Sequence, residues 1–127
     1  MIILTVDEII MLHTKLTAAT GGGGLRDRGL LESAVMNCYQ TFGGEELYPG
    51  VIEKAARLAF GICANHPFVD GNKRAAVTAL LTILRINDIA ISYTQKELVA
   101  LGLGIADKSL DYEAVTEWVR SHLTAQP

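Results

Sequence analysis

Cysteine and proline are scarce in this chain, and no charge of one sign dominates it. Its 127 residues include only two cysteines and three prolines, and the net charge is -3. Cys38 and Cys63 both fall on apolar helical faces, where an unpaired thiol behaves as a small hydrophobe, so we expect neither a disulfide nor a zinc site. Because 50% of the residues are hydrophobic and the prolines are scattered, a disordered chain is excluded.

Long apolar runs and clusters of basic residues are missing as well. No run approaches the ~20 residues of a membrane span, so we expect no membrane segment. The first residues, MIILTVDE, reach Asp7 without a basic leader, which argues against a secretory signal and favours the cytoplasm. Lys and Arg number 11 against 14 Asp and Glu and form no stripe, which disfavours direct DNA binding.

The length of the chain sets its expected organisation. A domain typically has about 100–200 residues, and 127 residues are enough to bury a core without disulfides or a metal. The sequence contains no repeat and no linker. We therefore predict a single domain over residues 1–127.

The first two helices are marked by their N-terminal caps. Thr5 and Glu8 form a capping box for a helix from about Val6 to Ala19, and Asp27 can cap a second helix. The glycines between them, residues 21–24, match no phosphate-binding loop, because neither a Gly-Lys pair nor a third glycine follows at the required spacing. An ordinary connection is predicted there.

The later helices include one that should be central. Pro49 is expected to open a third helix. Nine of the fourteen residues from Lys73 to Ile86 are apolar, and they surround the helix axis, which predicts a central helix buried on all sides. Thr94 and Glu97 make a second capping box, and a last helix runs toward the C-terminus. The predicted fold class is all-α.

One short β-hairpin is expected between the second and third helices. Two β-prone arms flank Gly43 and Gly44, and both glycines can take the positive φ that a tight hairpin turn requires. On the residue pattern alone, such a hairpin is more often a connector than a functional flap. Both interpretations remain open at this point.

A polar segment, residues 65–74 with the sequence NHPFVDGNKR, separates the third helix from the central one. Gly71 and Asn72 precede the central helix, so the N–H groups of its first turn lack helical partners and can bind an anion. Lys73 and Arg74 lie in that turn, where positive side chains oppose the helix dipole unless an anion is present. This placement indicates a phosphate cradle.

Two further side chains of the segment suggest chemistry. Asp70 offers one oxygen ligand, which is enough for Mg²⁺ only when phosphates and water supply the others. His66 could take a proton from an attacking hydroxyl beside the phosphate. On residue types alone, an ordinary polar turn is the more frequent explanation of this pattern. His13 and His122 have no companion ligands nearby in sequence, so we expect the first on a helix flank and the second on the terminal surface, both without a chemical role.

The stretch HPFVDGNKR resembles the signature of the Fic/Doc family, H-P-F-x-D/E-G-N-G/K-R. The length and Lys73 are similar to the Doc, or death-on-curing, branch. The resemblance to that branch continues in Leu12-His13, in Leu25-Arg26-Asp27 before Leu30-Leu31-Glu32, in the hairpin and in Glu53-Lys54-Ala55-Ala56. It implies a helical fold that binds ATP and Mg²⁺, with His66 as general base and Asp70 as the metal ligand. The implied phosphate cradle is Gly71, Asn72, Lys73 and Arg74, and the implied target-docking flap includes Thr41, Phe42, Gly43 and Gly44.

The resemblance also implies a function. Doc-type proteins are toxins of toxin-antitoxin pairs that phosphorylate translation elongation factor Tu and are silenced by a small Phd-like antitoxin, whereas Fic proteins proper transfer adenylate. Lys73 replaces the second signature glycine, and Val77 stands where Fic proteins carry a second arginine. Ala114 breaks the self-inhibitory pattern S/T-x-x-x-E-G/N, so a separate antitoxin is expected. The resemblance favours a Doc-like toxin, with a Fic-type adenylyltransferase or a catalytically silent antitoxin-binding relative as alternatives.

Overall fold

Helices dominate residues 2–20 and 23–124, the parts of the chain that the computed structural model describes. Glycines 21 and 22 of the predicted glycine connection lie outside these ranges. The all-α fold class with one short hairpin is confirmed. Across the described ranges, no helix combines the length and apolarity needed to cross a membrane. In chain order, the elements are α1 (Val6–Thr17), α2 (Arg28–Asn37), β1 (Thr41–Phe42), β2 (Glu45–Glu46), α3 (Val51–Asn65), α4 (Asn72–Ile86), α5 (Gln95–Ala106) and α6 (Tyr112–Ser121).

The predicted helix caps form as the local sequence indicates. The Thr5 hydroxyl accepts the Glu8 N–H while the Glu8 carboxylate accepts the Thr5 N–H, and α1 ends with Ala18 as its C-cap. The same reciprocal box begins α5, and Asp27 caps α2. The expectation for Pro49 was wrong by two residues, because Gly50 is the extended N-cap and α3 begins at Val51.

The prediction of α4 as the central helix was wrong: α3 packs against α2, α4, α5 and α6, whereas α4 packs against α1, α3 and α5. Its contact with α3 is rich in small side chains, which let two helices approach closely. The prediction that α4 is buried on all sides was wrong: Lys73, Arg74 and Arg85 are exposed, and Val77 is half-buried. The fully or almost fully buried alanines are Ala75, Ala76 and Ala79 on α4 and Ala55, Ala56 and Ala59 on α3.

His122 lies at the end of α6, near the C-terminus as expected, but it is half-buried and bonds the start of α5. Its Nδ1 lies 2.7 Å from the Trp118 carbonyl oxygen, and its Nε2 lies 2.7 Å from Glu97 Oε2. Because both partners are acceptors, the ring serves both only when it is protonated. The Trp118 carbonyl and the Glu97 carboxylate accordingly raise the pKa of His122. The pKa of Glu97 is lowered to about 2, mainly by the hydrogen bond from the Thr94 N–H and secondly by the hydrogen bond from His122.

Candidate active site

Residues 65–74 form the turn between α3 and α4, and His66 occupies its most constrained position. Pro67 disfavours a right-handed helical conformation for the residue before it. His66 accordingly ends α3 in the left-handed region, with φ 50° and ψ 56°, while its N–H still donates to the Ile62 carbonyl at 3.1 Å. Since this conformation costs a residue other than glycine about 1–2 kcal/mol, the contacts around His66 must hold it in place.

The loop before α2, residues 24–27, holds this turn through backbone hydrogen bonds. The N–H groups of Arg26 and Asp27 both donate to the Pro67 carbonyl, at 2.7 and 3.0 Å, and the Val69 N–H donates to the Gly24 carbonyl at 3.0 Å. An antiparallel bridge joins Leu25 to Phe68. Because Asp27 also caps α2, the turn is tied to the start of that helix.

His13 supports the turn from α1, which the sequence analysis missed. Its ring stacks on Phe68 with 3.8 Å between centroids, and its Nε2 donates to the Asp70 carbonyl at 2.7 Å. His13 is only 2% exposed, so it does not lie on a helix flank as expected, although its role is structural. The four-residue spacing of the buried Ile9, His13 and Thr17 is the signal that places His13 on the inner face.

Gly71 is the N-cap of α4 and leaves the start of that helix uncapped by any side chain. Its φ of +78° is unfavourable for other residues, and an added Cβ would lie 3.3 Å from both His13 Nε2 and Thr17 Cγ2. Glycine is therefore required for both conformation and space. The open N–H groups and the positive end of the helix dipole make this a suitable place for an anion.

The Asn72 side chain joins the helix start to His66. Its Oδ1 accepts the Phe68 N–H at 3.0 Å, and its Nδ2 donates to the Phe68 carbonyl at 3.0 Å and to His66 Nδ1 at 3.2 Å. The two Phe68 contacts determine which end of the amide is oxygen. Because Nδ1 of His66 therefore accepts a hydrogen bond, the neutral ring carries its proton on Nε2.

The structure brings the predicted base, metal ligand and cradle together in one cavity of about 470 Å³. Asp70 is exposed and its Oδ1 accepts the Gly71 N–H at 2.8 Å. Arg74 donates from Nη2 to the Leu16 carbonyl at 3.0 Å, so its guanidinium is bound to the end of α1. The signature residues that line the cavity are His66, Val69, Asp70, Gly71, Asn72, Lys73 and Arg74.

The other side chains near this cavity limit the chemistry it can support. Cys63 also lines it, but burial raises the pKa of this thiol to about 11, so the thiol is protonated near neutral pH and is a poor nucleophile. Within residues 2–20 and 23–124, no three His, Cys, Asp or Glu side chains are grouped closely enough to hold a metal ion. Asp70 therefore fits Mg²⁺ only as a single protein ligand, with phosphate and water as the others.

The predicted hairpin is present, with Thr41 opposite Glu46 and Phe42 opposite Glu45. Gly43 and Gly44 have φ of 61° and 83°, as a tight hairpin turn requires. Its six residues are exposed, including Phe42 at 82%. Among the residues that the structure describes, those lining the site cavity include none of these six. A salt bridge of 2.9 Å joins Glu46 on β2 to Lys54 on α3.

Comparison with known proteins places the chain in a family. The Fic/DOC family model matches residues 3–84, a range that contains the hairpin and the whole site cavity except Ala106. Toxin Doc of Mycolicibacterium smegmatis is 44% identical over 73 residues, which are 56% of each chain, so that match spans about half the length of the relative. Protein kinase doc of Escherichia phage P1 is 27% identical over 118 residues, 92% of each chain. The chain therefore belongs to the Fic/Doc family, and its curated relatives support the Doc branch.

Proposed function

We propose that this protein is a Doc-like toxin that transfers the terminal phosphate of ATP to a hydroxyl of another protein. The observation that carries the proposal is the shared cavity of about 470 Å³, in which a histidine and a carboxylate adjoin an uncapped helix start. Each of these groups has a part in phosphoryl transfer, where positioning and charge stabilisation account for most of the catalysis. The relatives named Toxin Doc and Protein kinase doc support the same assignment.

In this proposal, the start of α4 binds the phosphates of ATP. The N–H groups of its first turn would bind the phosphates, and Gly71 gives the turn the positive φ that brings the helix start against α1. Lys73 adds a positive charge to the same end of the helix. Asp70 is the residue that would hold Mg²⁺, and the bound ion would neutralise charge on the phosphates.

His66 is the proposed general base. Its Nδ1 accepts from Asn72 at 3.2 Å, which leaves Nε2 for the target hydroxyl. To accept a proton on Nε2, the ring must first move its own proton to Nδ1, and that exchange breaks the Asn72 contact. The Asn72 amide nitrogen, which also donates to the Phe68 carbonyl, would then face a ring N–H, so the ring must turn away from Asn72, and we place this change after the nucleotide and the target have bound.

The choice between phosphate and adenylate depends on which phosphorus faces His66. Val77 lies in a groove between α4 and α5 beside Leu98 and Val99, and an apolar side chain cannot bind a phosphate. With no arginine there and with Lys73 at the helix start, we propose that the terminal phosphate faces His66. Adenylyl transfer is the second candidate, because it can use the same cradle.

The proposed target is translation elongation factor Tu, and the proposed flap would hold its hydroxyl-bearing segment. A two-stranded hairpin has free backbone edges, to which an extended peptide can add as a strand. Control would come from a Phd-like antitoxin, since Ala114 breaks the self-inhibitory pattern, and the working compartment would be the cytoplasm. A catalytically silent relative is disfavoured because His66, Asp70 and Lys73 are all present.

The product of the reaction tests the proposal directly. We expect elongation factor Tu incubated with this protein, ATP and Mg²⁺ to gain one phosphate-sized increment in intact-mass measurement, with ADP as the second product. The same mixture with a chelator is the control and should show no gain. An adenylate-sized gain would establish the second candidate, and an unchanged mass would contradict both the target and the reaction.

The metal ligand can be tested through binding alone. Asp70→Asn should weaken ATP binding in the presence of Mg²⁺ by roughly 10-fold, equivalent to about 1.4 kcal/mol, because it removes the negative charge that a hard cation prefers. The amide oxygen can still accept the Gly71 N–H, so the turn should persist. Asp88→Asn, beyond the opposite end of α4, is the matched control in titration calorimetry. If Asp70→Asn left the Mg²⁺ dependence unchanged, the ligand role would be wrong.

A further inference from the structure

We propose that Arg26 is a positioning residue for His66, acting through the backbone of the turn. Arg26 donates to three successive carbonyl groups. Its Nε reaches the His66 oxygen at 2.7 Å and its Nη2 reaches the Asn65 oxygen at 3.1 Å, while its backbone N–H reaches the Pro67 oxygen at 2.7 Å. The inference rests on the proposed function insofar as His66 is the base.

These three carbonyls belong to the end of α3 and to the residues that follow it. The last carbonyls of a helix have no partners within it and carry the negative end of its dipole, so a cation there is stabilising. A guanidinium also has a planar set of donors that can serve two neighbouring oxygens at once. Arg26 thus supplies both the charge and the geometry that this end of α3 requires.

The conformation of His66 makes such support necessary. A left-handed residue other than glycine persists only when its surroundings determine it, and the Arg26 side chain is bonded to the carbonyl of that very residue. Arg26 is not among the residues that line the site cavity. Its influence on transfer must therefore pass through the orientation of His66 rather than through contact with the nucleotide.

Arg28 provides a matched control two residues along the chain. Its guanidinium bonds Asp7 at 3.0 Å and lies 3.8 Å from Glu32, and all three side chains are at least half exposed. Exposed pairs of this kind contribute little to stability. Arg28→Gln therefore removes the same charge from the same region without touching the turn.

The kinetic test compares Arg26→Gln, Arg26→Lys and Arg28→Gln. Arg26→Gln should lower kcat by about 10–100-fold, because displacement of a reacting group by about 1 Å can cost that much. KM for ATP should stay close to the wild-type value, and the thermal midpoint should fall by about 4–8 °C for each kcal/mol of stabilisation that is lost. Arg26→Lys keeps the charge and one donor and should recover part of the loss, and Arg28→Gln should match the wild type. A wild-type kcat for Arg26→Gln, or a loss no larger than that of Arg28→Gln, would overturn the proposal.

A second measurement does not depend on transfer. The ¹³Cα and ¹³Cβ chemical shifts of His66 report its backbone conformation, and Arg26→Gln should move them away from left-handed values, whereas Arg28→Gln should not. Identical His66 shifts in Arg26→Gln and the wild type would overturn the positioning role. If the wild type transferred nothing to any target, the proposed function would fail, and the chemical shifts would still decide the role of Arg26.

Discussion

His66→Ala is expected to lower the transfer rate by about 10²–10⁴-fold, the usual contribution of a general base. The fold should survive, because His66 is exposed and, among the residues that the structure describes, its side chain bonds only Asn72, at 3.2 Å. The bonds that hold the turn run through backbone carbonyls, which alanine keeps. Intact-mass time courses and growth arrest on expression are the two measurements.

A second histidine serves as the control for this substitution. His122 lies at the end of α6 and is bonded to Glu97 and Trp118, so His122→Ala removes an imidazole outside the site cavity. It should leave the transfer rate near the wild-type value even if it lowers stability. A folded His66→Ala protein that arrests growth as strongly as the wild type would show that another group takes the proton.

Glu46→Ala is expected to destabilise the protein by about 1–3 kcal/mol, the cost of leaving a buried polar group without its partner. The side chain of Lys54 is 2% exposed and that of Glu46 is 48% exposed. The cation also bonds the Tyr48 carbonyl and lies 5.6 Å from the centre of the Tyr39 ring. Without Glu46, the contacts that remain to this buried charge among the described residues are neutral.

Removing Lys54 instead of Glu46 should cost less stability, because Lys54 is buried and Glu46 is half exposed. Lys54→Met replaces the buried cation with an apolar side chain of similar length, so no uncompensated buried charge remains. The carboxylate of Glu46 then remains half in water. Urea unfolding of both variants and of the double variant, which should recover part of the Glu46→Ala loss, measures this asymmetry.

The neighbouring Glu45 gives the matched control for Glu46. It lies on the same strand and is exposed, so Glu45→Ala should change the free energy of unfolding by no more than about 0.5 kcal/mol. If Glu46→Ala were as stable as Glu45→Ala, the salt bridge would not hold the hairpin to α3. A Lys54→Met protein less stable than Glu46→Ala would contradict the burial argument.

Features that depend on a few neighbouring residues could be predicted from the sequence. The boxes of Thr5 with Glu8 and Thr94 with Glu97 form as expected, because each spans three residues and needs no other part of the chain. The turn at Gly43 and Gly44 likewise follows from their tolerance of positive φ. The nine residues HPFVDGNKR are contiguous, so the candidate site could also be recognised before any fold was known.

Contacts between distant parts of the chain were decided by the tertiary structure. His13 meets the Asp70 carbonyl across 57 residues, and Arg26 meets His66 across 40, so neither partner can be identified from local spacing. The exposed part of α4 could not be predicted for a related reason. Apolar residues surround the axis of α4, but neighbouring helices cover only part of its surface, and Val77 borders an open groove.

By itself, the sequence determined the helix caps, the hairpin turn and the identity of the signature side chains, because short-range sterics and hydrogen bonds act within a few residues. Only the tertiary structure brought α1 and the loop before α2 against the signature turn, because burial of apolar surface has no preferred direction and the hydrogen bonds of that loop join residues about 40 positions apart.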